Sequence, residues 1–297
     1  MEKIKRTFGF IYNHPLGKRH PVKALIRFVW WQIQGSLRPS KFIVKPYLSG
    51  VKFHARKGLT GITGNIYTGL HEFNDMAFLL HFLRPADVFF DIGANVGSYT
   101  LLASGVCQAK TIAIEASANT AAITHKNISL NNLQDKATLI NAAAGAEAGV
   151  LTFSKNEDTT NHIISPDETQ NTDVETVKVI TIDSISVNDN PALIKIDVEG
   201  FETEVLKGMH DTLKLESLKA IIIELNGSGI RYGFNEEDIH QLLLANGFKP
   251  YQYDPFNRNL NLMPSFGSYN TIYCRDADFI NHRLKTAKGF NIMGETI

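Results

Sequence analysis

The stretch Val88-Phe-Phe-Asp91-Ile-Gly93-Ala-Asn95-Val-Gly97-Ser-Tyr-Thr100 decides the fold. An apolar run, Val88–Ile92, breaks into a glycine-rich turn, and a helical pattern follows over roughly Val96–Ser104. Glycines at 93 and 97 let the backbone turn tightly after a strand and let a ligand approach closely. The informative residue is the acid inside the turn. In a dinucleotide site the pyrophosphate rests on the helix N-terminus. Asp91 would oppose it there, and two like charges ~4 Å apart cost on the order of 4 kcal/mol at an effective dielectric of about 20. S-adenosylmethionine has no phosphate and carries an ammonium and a sulfonium, so the same carboxylate would attract it.

Outward from this turn, short apolar runs alternate with helical stretches, as in successive βα units on a parallel sheet. Thr111–Ile114 reads as a strand ending in Glu115, followed by a helix from Ser117 to about Leu130 and a strand near Ala137–Ala142. Leu193–Ile196 and Ala220–Leu225 read as buried strands, with a helix over Phe201–Met209 between them. Asn235–Asn246 is an amphipathic helix capped by Asn235. Lys249–Tyr253 and Tyr269–Cys274 have only a loop between them, so they must pair as antiparallel neighbours. Val150–Phe153 and Val174–Ile180 flank a polar loop, Ser154–Asp173, readable as a surface excursion or a substrate-facing lid. Earlier in the chain, Pro21–Gln34 and Glu72–Leu83 look helical.

Acids mark the strand ends. Glu115 can accept hydrogen bonds from both ribose hydroxyls of an adenosine, and Asn141 with Ala142 lie where an adenine edge would be met. Ala192-Leu-Ile-Lys-Ile-Asp197-Val-Glu199-Gly-Phe-Glu202 ends a buried strand in a second acidic cluster. Alternation puts Lys195, Asp197 and Glu199 on one side of that strand. The plain alternative is that these carboxylates cap helices or balance Lys195. Asp197, Glu224 and Asn226 could supply oxygens to Mg²⁺, but single carboxylates at strand ends need no metal, and none is assigned.

The 297 residues are 43 % hydrophobic and 20 % charged, which suits one large α/β domain with an extension. The net charge of zero hides an asymmetry. Residues 1–58 hold 13 Lys/Arg against one acid, Glu2, for +12, and the remaining 17 basic and 29 acidic residues give −12. The division expected is a basic extension over 1–60 and a body over 61–297. In Pro21–Gln34, Lys23, Arg27 and Gln34 share one stripe and nearly everything else is apolar, Trp30 and Trp31 included. Such a helix either docks on the body or leans on an anionic membrane. Cys107 and Cys274 form no disulfide framework or metal motif. No leader pattern and no apolar window near ~18 to 20 residues is found. The expectation is a cytoplasmic protein, peripheral at the membrane through residues 1–58. No stacking-aromatic array or Asn/Asp-Pro-Pro-Tyr element suggests a nucleic-acid partner.

Residues 66–275 resemble the FkbM-type methyltransferases, a class I S-adenosylmethionine-dependent family. The resemblance rests on Tyr67-Thr-Gly-Leu-His-Glu72, the DVFFDIGANVGSYT stretch ending at Thr100, Ile114-Glu115-Ala116, Thr181-Ile-Asp183, Ile194-Lys-Ile-Asp-Val-Glu-Gly200 and Ile223-Glu224. It implies a Rossmann-like, doubly wound, mostly parallel seven-stranded sheet with an antiparallel last strand. It also implies that Asp91, Gly93, Asn95, Gly97 and Glu115 match donor-binding positions, and Asp197 with Glu199 the active-site acids. Glu72 joins the donor set through the Tyr67–Glu72 match. The reaction expected is O-methylation of a hydroxyl on a sugar, glycan or secondary metabolite, with Asp197 or Glu199 as base. An NAD-linked Rossmann oxidoreductase and a non-catalytic adenosine-binding module are the rival readings. Acceptor identity and oligomeric state are not legible in the sequence.

Overall fold

The computed structural model describes residues 2–154, Ile163 and 174–297. The polar loop between Ser154 and Asp173 lies, apart from Ser154 and Ile163, outside the described residues. Three helices come first, α1 (Glu2–Asn13), α2 (Pro15–Arg19) and α3 (Pro21–Leu37). A hairpin, β1 (Ile43–Pro46) with β2 (Lys52–Ala55), then leads into α4 (Thr60–Thr68) and α5 (Phe73–Phe82). The βα region opens with β3 (Val88–Ile92) and α6 (Ser98–Thr100), which widens into π turns over Leu101–Val106. It continues through β4 (Lys110–Glu115), α7 (Ala118–Leu130), β5 (Ala137–Asn141) and the short β6 (Ala143–Ala144). After β7 (Gly149–Ser154), β8 (Val174–Ile180) and α8 (Ile182–Ser186) come β9 (Leu193–Ile196), α9 (Glu202–Lys207) and β10 (Ala220–Glu224). The remainder comprises α10 (Glu236–Ala245), β11 (Lys249–Asp254), β12 (Asn259–Leu262), β13 (Asn270–Cys274), α11 (Ala277–Thr286) and a terminal hairpin.

The main sheet runs β12-β11-β13-β10-β9-β3-β4-β5. From β10 to β5 all pairings are parallel. β13 is antiparallel to both β10 and β11, which is the pairing the loop-only connection requires. The doubly wound, mostly parallel sheet is thus as expected, with one addition. An eighth strand, β12, arises inside the segment read as a loop. The Asp254 carboxylate accepts the Phe256 amide (3.0 Å) and turns the chain back, so Asn259–Leu262 pairs antiparallel with β11.

The parallel strands are continuous apolar runs because both faces are covered. Alternation sends Phe89, Leu193 and Ile222 into one cluster and Phe90, Ile194, Ile221 and Ile223 into the other. Each of these side chains is fully buried, contributing roughly 1.5–3 kcal/mol relative to exposure. The carboxyl ends of β3, β4, β9 and β10 consequently open at one edge, where open α/β sheets bind ligands. A small sheet, β6-β8-β7, stands beside that edge, with Phe153 and Ile163 in its apolar cluster.

The N-terminal helices pack on the α4–α5 side. Phe28 of α3 meets Tyr67 of α4 at 5.3 Å, and Phe10 of α1 stacks on His71 at 4.8 Å. Arg19 and His20 pair with Glu295 near the C-terminus. No helix among the described residues is long and apolar enough to cross a membrane.

Candidate active site

A cavity of about 390 Å³ lies at the carboxyl ends of β3, β4, β9 and β10, within the range of small-molecule sites. Gly93 joins its two halves. A Cβ there would stand 1.8 Å from the Asp197 carbonyl oxygen, so the turn after β3 can lie against the end of β9 only as glycine.

In the half built by β3 and β4, backbone groups tie the carboxylates. Asp91 Oδ2 accepts the Thr100 amide (2.9 Å) and hydroxyl (2.6 Å). Glu115 Oε1 accepts the Ser117 amide (2.9 Å) and its Oε2 the Asn95 amide (2.8 Å). Asn95 holds a left-handed φ of 50°, stabilised by its own Oδ1 accepting the Val96 amide. Burial pushes Asp91 up to about 6 and Glu115 up to about 7, against the lowering effect of those hydrogen bonds. Glu72, at the start of α5, accepts the Tyr99 hydroxyl (2.6 Å). Ala142, Ala143 and Ala144 supply a wall of small side chains.

The half built by β9 and β10 differs. Lys195 is buried, its Nζ 2.6 Å from Asp197 Oδ2 and 4.9 Å from the Tyr99 ring. Burial lowers its proton affinity, but the carboxylates of Asp197, Glu72 and Asp91 outweigh that and hold Lys195 above its ordinary value. Carboxylate oxygens of Asp197, Glu199 and Glu224 lie within 4.8 Å of one another. Burial first, then the neighbouring Asp197, pushes Glu224 well up. Burial first, then Asp197 and Glu202, pushes Glu199 up to about 7. Glu199 sits at φ 56°, a strained backbone for a side-chain-bearing residue. Glu202 fixes this turn by accepting the Val198 (3.0 Å) and Gly200 (3.2 Å) amides.

Of the residues singled out in the sequence, Glu72, Asp91, Gly93, Asn95, Glu115, Ala142, Asp197 and Glu199 line the cavity, and Gly97 and Asn141 do not. Gly97 starts α6 in a left-handed conformation against Thr124, and a Cβ there would be 3.0 Å from Thr124 Cγ2. Asn141 is exposed and donates to the Glu115 and Ala116 carbonyls, tying β5 to the end of β4. Asn226, considered as a metal ligand, is exposed and accepts the Ser228 amide instead. His71, Tyr99 and Arg6 line the cavity without having been singled out. The first two lay inside the stretches that carry the resemblance; nothing local marks Arg6, which folding of α1 brings to the site.

A cavity with this many carboxylates around one paired lysine attracts a cationic ligand and can accept a proton at neutral pH. A family model described as the FkbM methyltransferase domain matches residues 91–250. The hexuronic acid methyltransferase AglP of Haloferax volcanii is 28 % identical over 172 residues, covering 56 % of this chain and 64 % of that protein, under two thirds of its length. Among solved structures, the precorrin-6y C5,15-methyltransferase of Geobacter metallireducens is similar at a TM-score of 0.43 and 13 % identity, covering 75 % of this chain and 94 % of that one. M. capricolum TrmK in complex with S-adenosyl-homocysteine follows at 0.38 and 10 %, covering 68 % of each chain.

Proposed function

This chain belongs to the FkbM methyltransferase domain family, and we propose that it methylates a hydroxyl on a sugar, glycan or secondary metabolite, using S-adenosylmethionine as donor. One observation carries the reading: a single cavity joins carboxylates tied to the backbone with one that accepts no hydrogen bond among the described residues, Glu199. The donor set fits the cofactor. Each Glu115 oxygen has a lone pair left for a ribose hydroxyl, Asp91 and Glu72 offer negative charge to an ammonium, and Ala142 to Ala144 leave room for a flat base. When bound, S-adenosylmethionine supplies an electrophilic methyl group.

The chain's own residues then have distinct tasks. Glu199, poised near neutrality, takes the proton of the acceptor hydroxyl. Lys195 balances Asp197, and Glu224 bonds to Asp197, so neither competes for that proton. Tyr99 orients Glu72. Phe153, Ile163 and Phe201 give the cavity an apolar wall against which an acceptor's carbon skeleton can rest. The relative named for hexuronic acid supports a sugar-class acceptor. Independently of the reaction, the basic residues 1–58 are proposed to make peripheral contact with an anionic membrane.

The test is turnover. The full chain is incubated with S-adenosylmethionine and free sugars, uronic acids and lipid-linked sugars, and release of S-adenosylhomocysteine is measured. Release with a hydroxyl-bearing acceptor is expected, together with calorimetric binding of S-adenosylhomocysteine and none of NAD. Failure of S-adenosylhomocysteine to bind would overturn the donor assignment.

A further inference from the structure

Helix α3 is apolar on two opposite faces. Ala24, Phe28, Trp31 and Gly35 point inward and are buried. On the opposite side Val22, Ile26, Val29, Trp30, Ile33 and Leu37, spaced by three and four residues, form a continuous outward stripe. Ile26, Trp30 and Leu37 are 62 %, 57 % and 77 % exposed. A contiguous apolar face of this kind on a folded chain marks a contact surface.

The surrounding charge selects the occupant. Lys18 precedes the helix, and Arg38 and Lys41 follow it; all three are exposed and none has an acidic partner among the described residues. Residues 1–58 as a whole carry +12. Two copies meeting through this face would bring two such arms together, whereas an anionic surface is attracted by them. Apolar side chains bracketed by cations, with a tryptophan among them, suit the boundary between headgroups and acyl chains. Arg6 of α1 lines the cavity, so the same arm joins this face to the site.

We propose that the outward face of α3 lies in the plane of an anionic lipid surface, with Trp30 among the headgroups and Lys18, Arg38 and Lys41 against lipid phosphates. This sharpens the membrane contact named above. It does not depend on the methyl-transfer reading, because it is read without donor or acceptor. Trp30 and Trp31 are the only tryptophans of the chain, one exposed and one buried, so fluorescence reports on the stripe.

The full chain is titrated with phosphatidylcholine vesicles with and without phosphatidylglycerol, following co-sedimentation and tryptophan emission. A blue shift and pelleting are expected with phosphatidylglycerol only, both weakened by salt. Trp30→Phe should abolish the shift and still pellet. Ile26→Asp with Ile33→Asp should lower vesicle affinity at least ~tenfold while the circular dichroism is unchanged. Lys18→Glu, Arg38→Glu and Lys41→Glu together should remove the preference for phosphatidylglycerol. Pelleting no greater with anionic vesicles than without vesicles would overturn the proposal. So would light scattering that shows a dimer in solution, dissociated by the Ile26/Ile33 substitutions, since the face would then belong to a second copy.

Discussion

The strand ends of β3 and β4 and those of β9 and β10 carry the same residue type at equivalent places, yet their carboxylates behave differently. Asp91 and Glu115 have oxygens occupied by amides and a hydroxyl from the turns and helix that follow β3 and β4. Asp197, Glu199 and Glu224 face one another and a single lysine. A carboxylate held by backbone donors is a fixed acceptor, suited to recognising hydroxyls or a cation. One that no backbone donor occupies, pressed against other carboxylates, keeps its oxygens free to take a proton from a bound hydroxyl. The chemistry of each half is thus set by what surrounds its acids and not by the acids themselves.

The sharpest way to break this contrast is Glu199→Gln. It should lower kcat by at least ~10²-fold and leave calorimetric affinity for S-adenosylhomocysteine nearly unchanged. Because the deprotonated form acts, wild-type kcat should fall as pH drops below about 7. Glu202→Gln removes a charge that raises Glu199, so that acid limb should move to lower pH. Unaltered turnover in Glu199→Gln would return the base role to Asp197.

The matching substitution in the other half should act on binding. Glu115→Ala is expected to weaken S-adenosylhomocysteine by roughly 1.5–3 kcal/mol, through loss of a charged hydrogen-bond acceptor. Full affinity in that variant, measured by calorimetry, would mean that the backbone ties of Glu115 serve only the fold.

The smallest effect tests burial itself. Asp75, Asp91, Glu115 and Glu202 are pushed up to about 7, 6, 7 and 7, in each case chiefly by burial. The folded chain therefore keeps protons that the unfolded chain has already released. That contribution to stability is fully present below about pH 4 and is lost as pH rises through roughly 6 to 7. The Tm of the ligand-free chain should fall by a few degrees across this window. Asp75→Asn, which mimics the protonated acid, should flatten the slope; an unchanged slope would show that Asp75 is not held protonated.

Much of this was determined by the sequence alone. The order of βα units, the acids at strand ends and the antiparallel pairing of β11 with β13 follow from local periodicity, turn residues and loop length, all short-range properties. Glu115, Asp197 and Glu199 were legible because an acid ending an apolar run is out of place unless it has a task. Only the tertiary structure decided which carboxylate oxygens are occupied: Asn95, a partner of Glu115, comes from the turn after the neighbouring strand β3. It likewise placed Asn141 and Gly97 outside the cavity and brought Arg6 into it. Pro21–Gln34 shows the limit most clearly. Its pattern is apolar around nearly the whole helix, and a helix gives no preference between two apolar faces until one of them meets α4 and is buried.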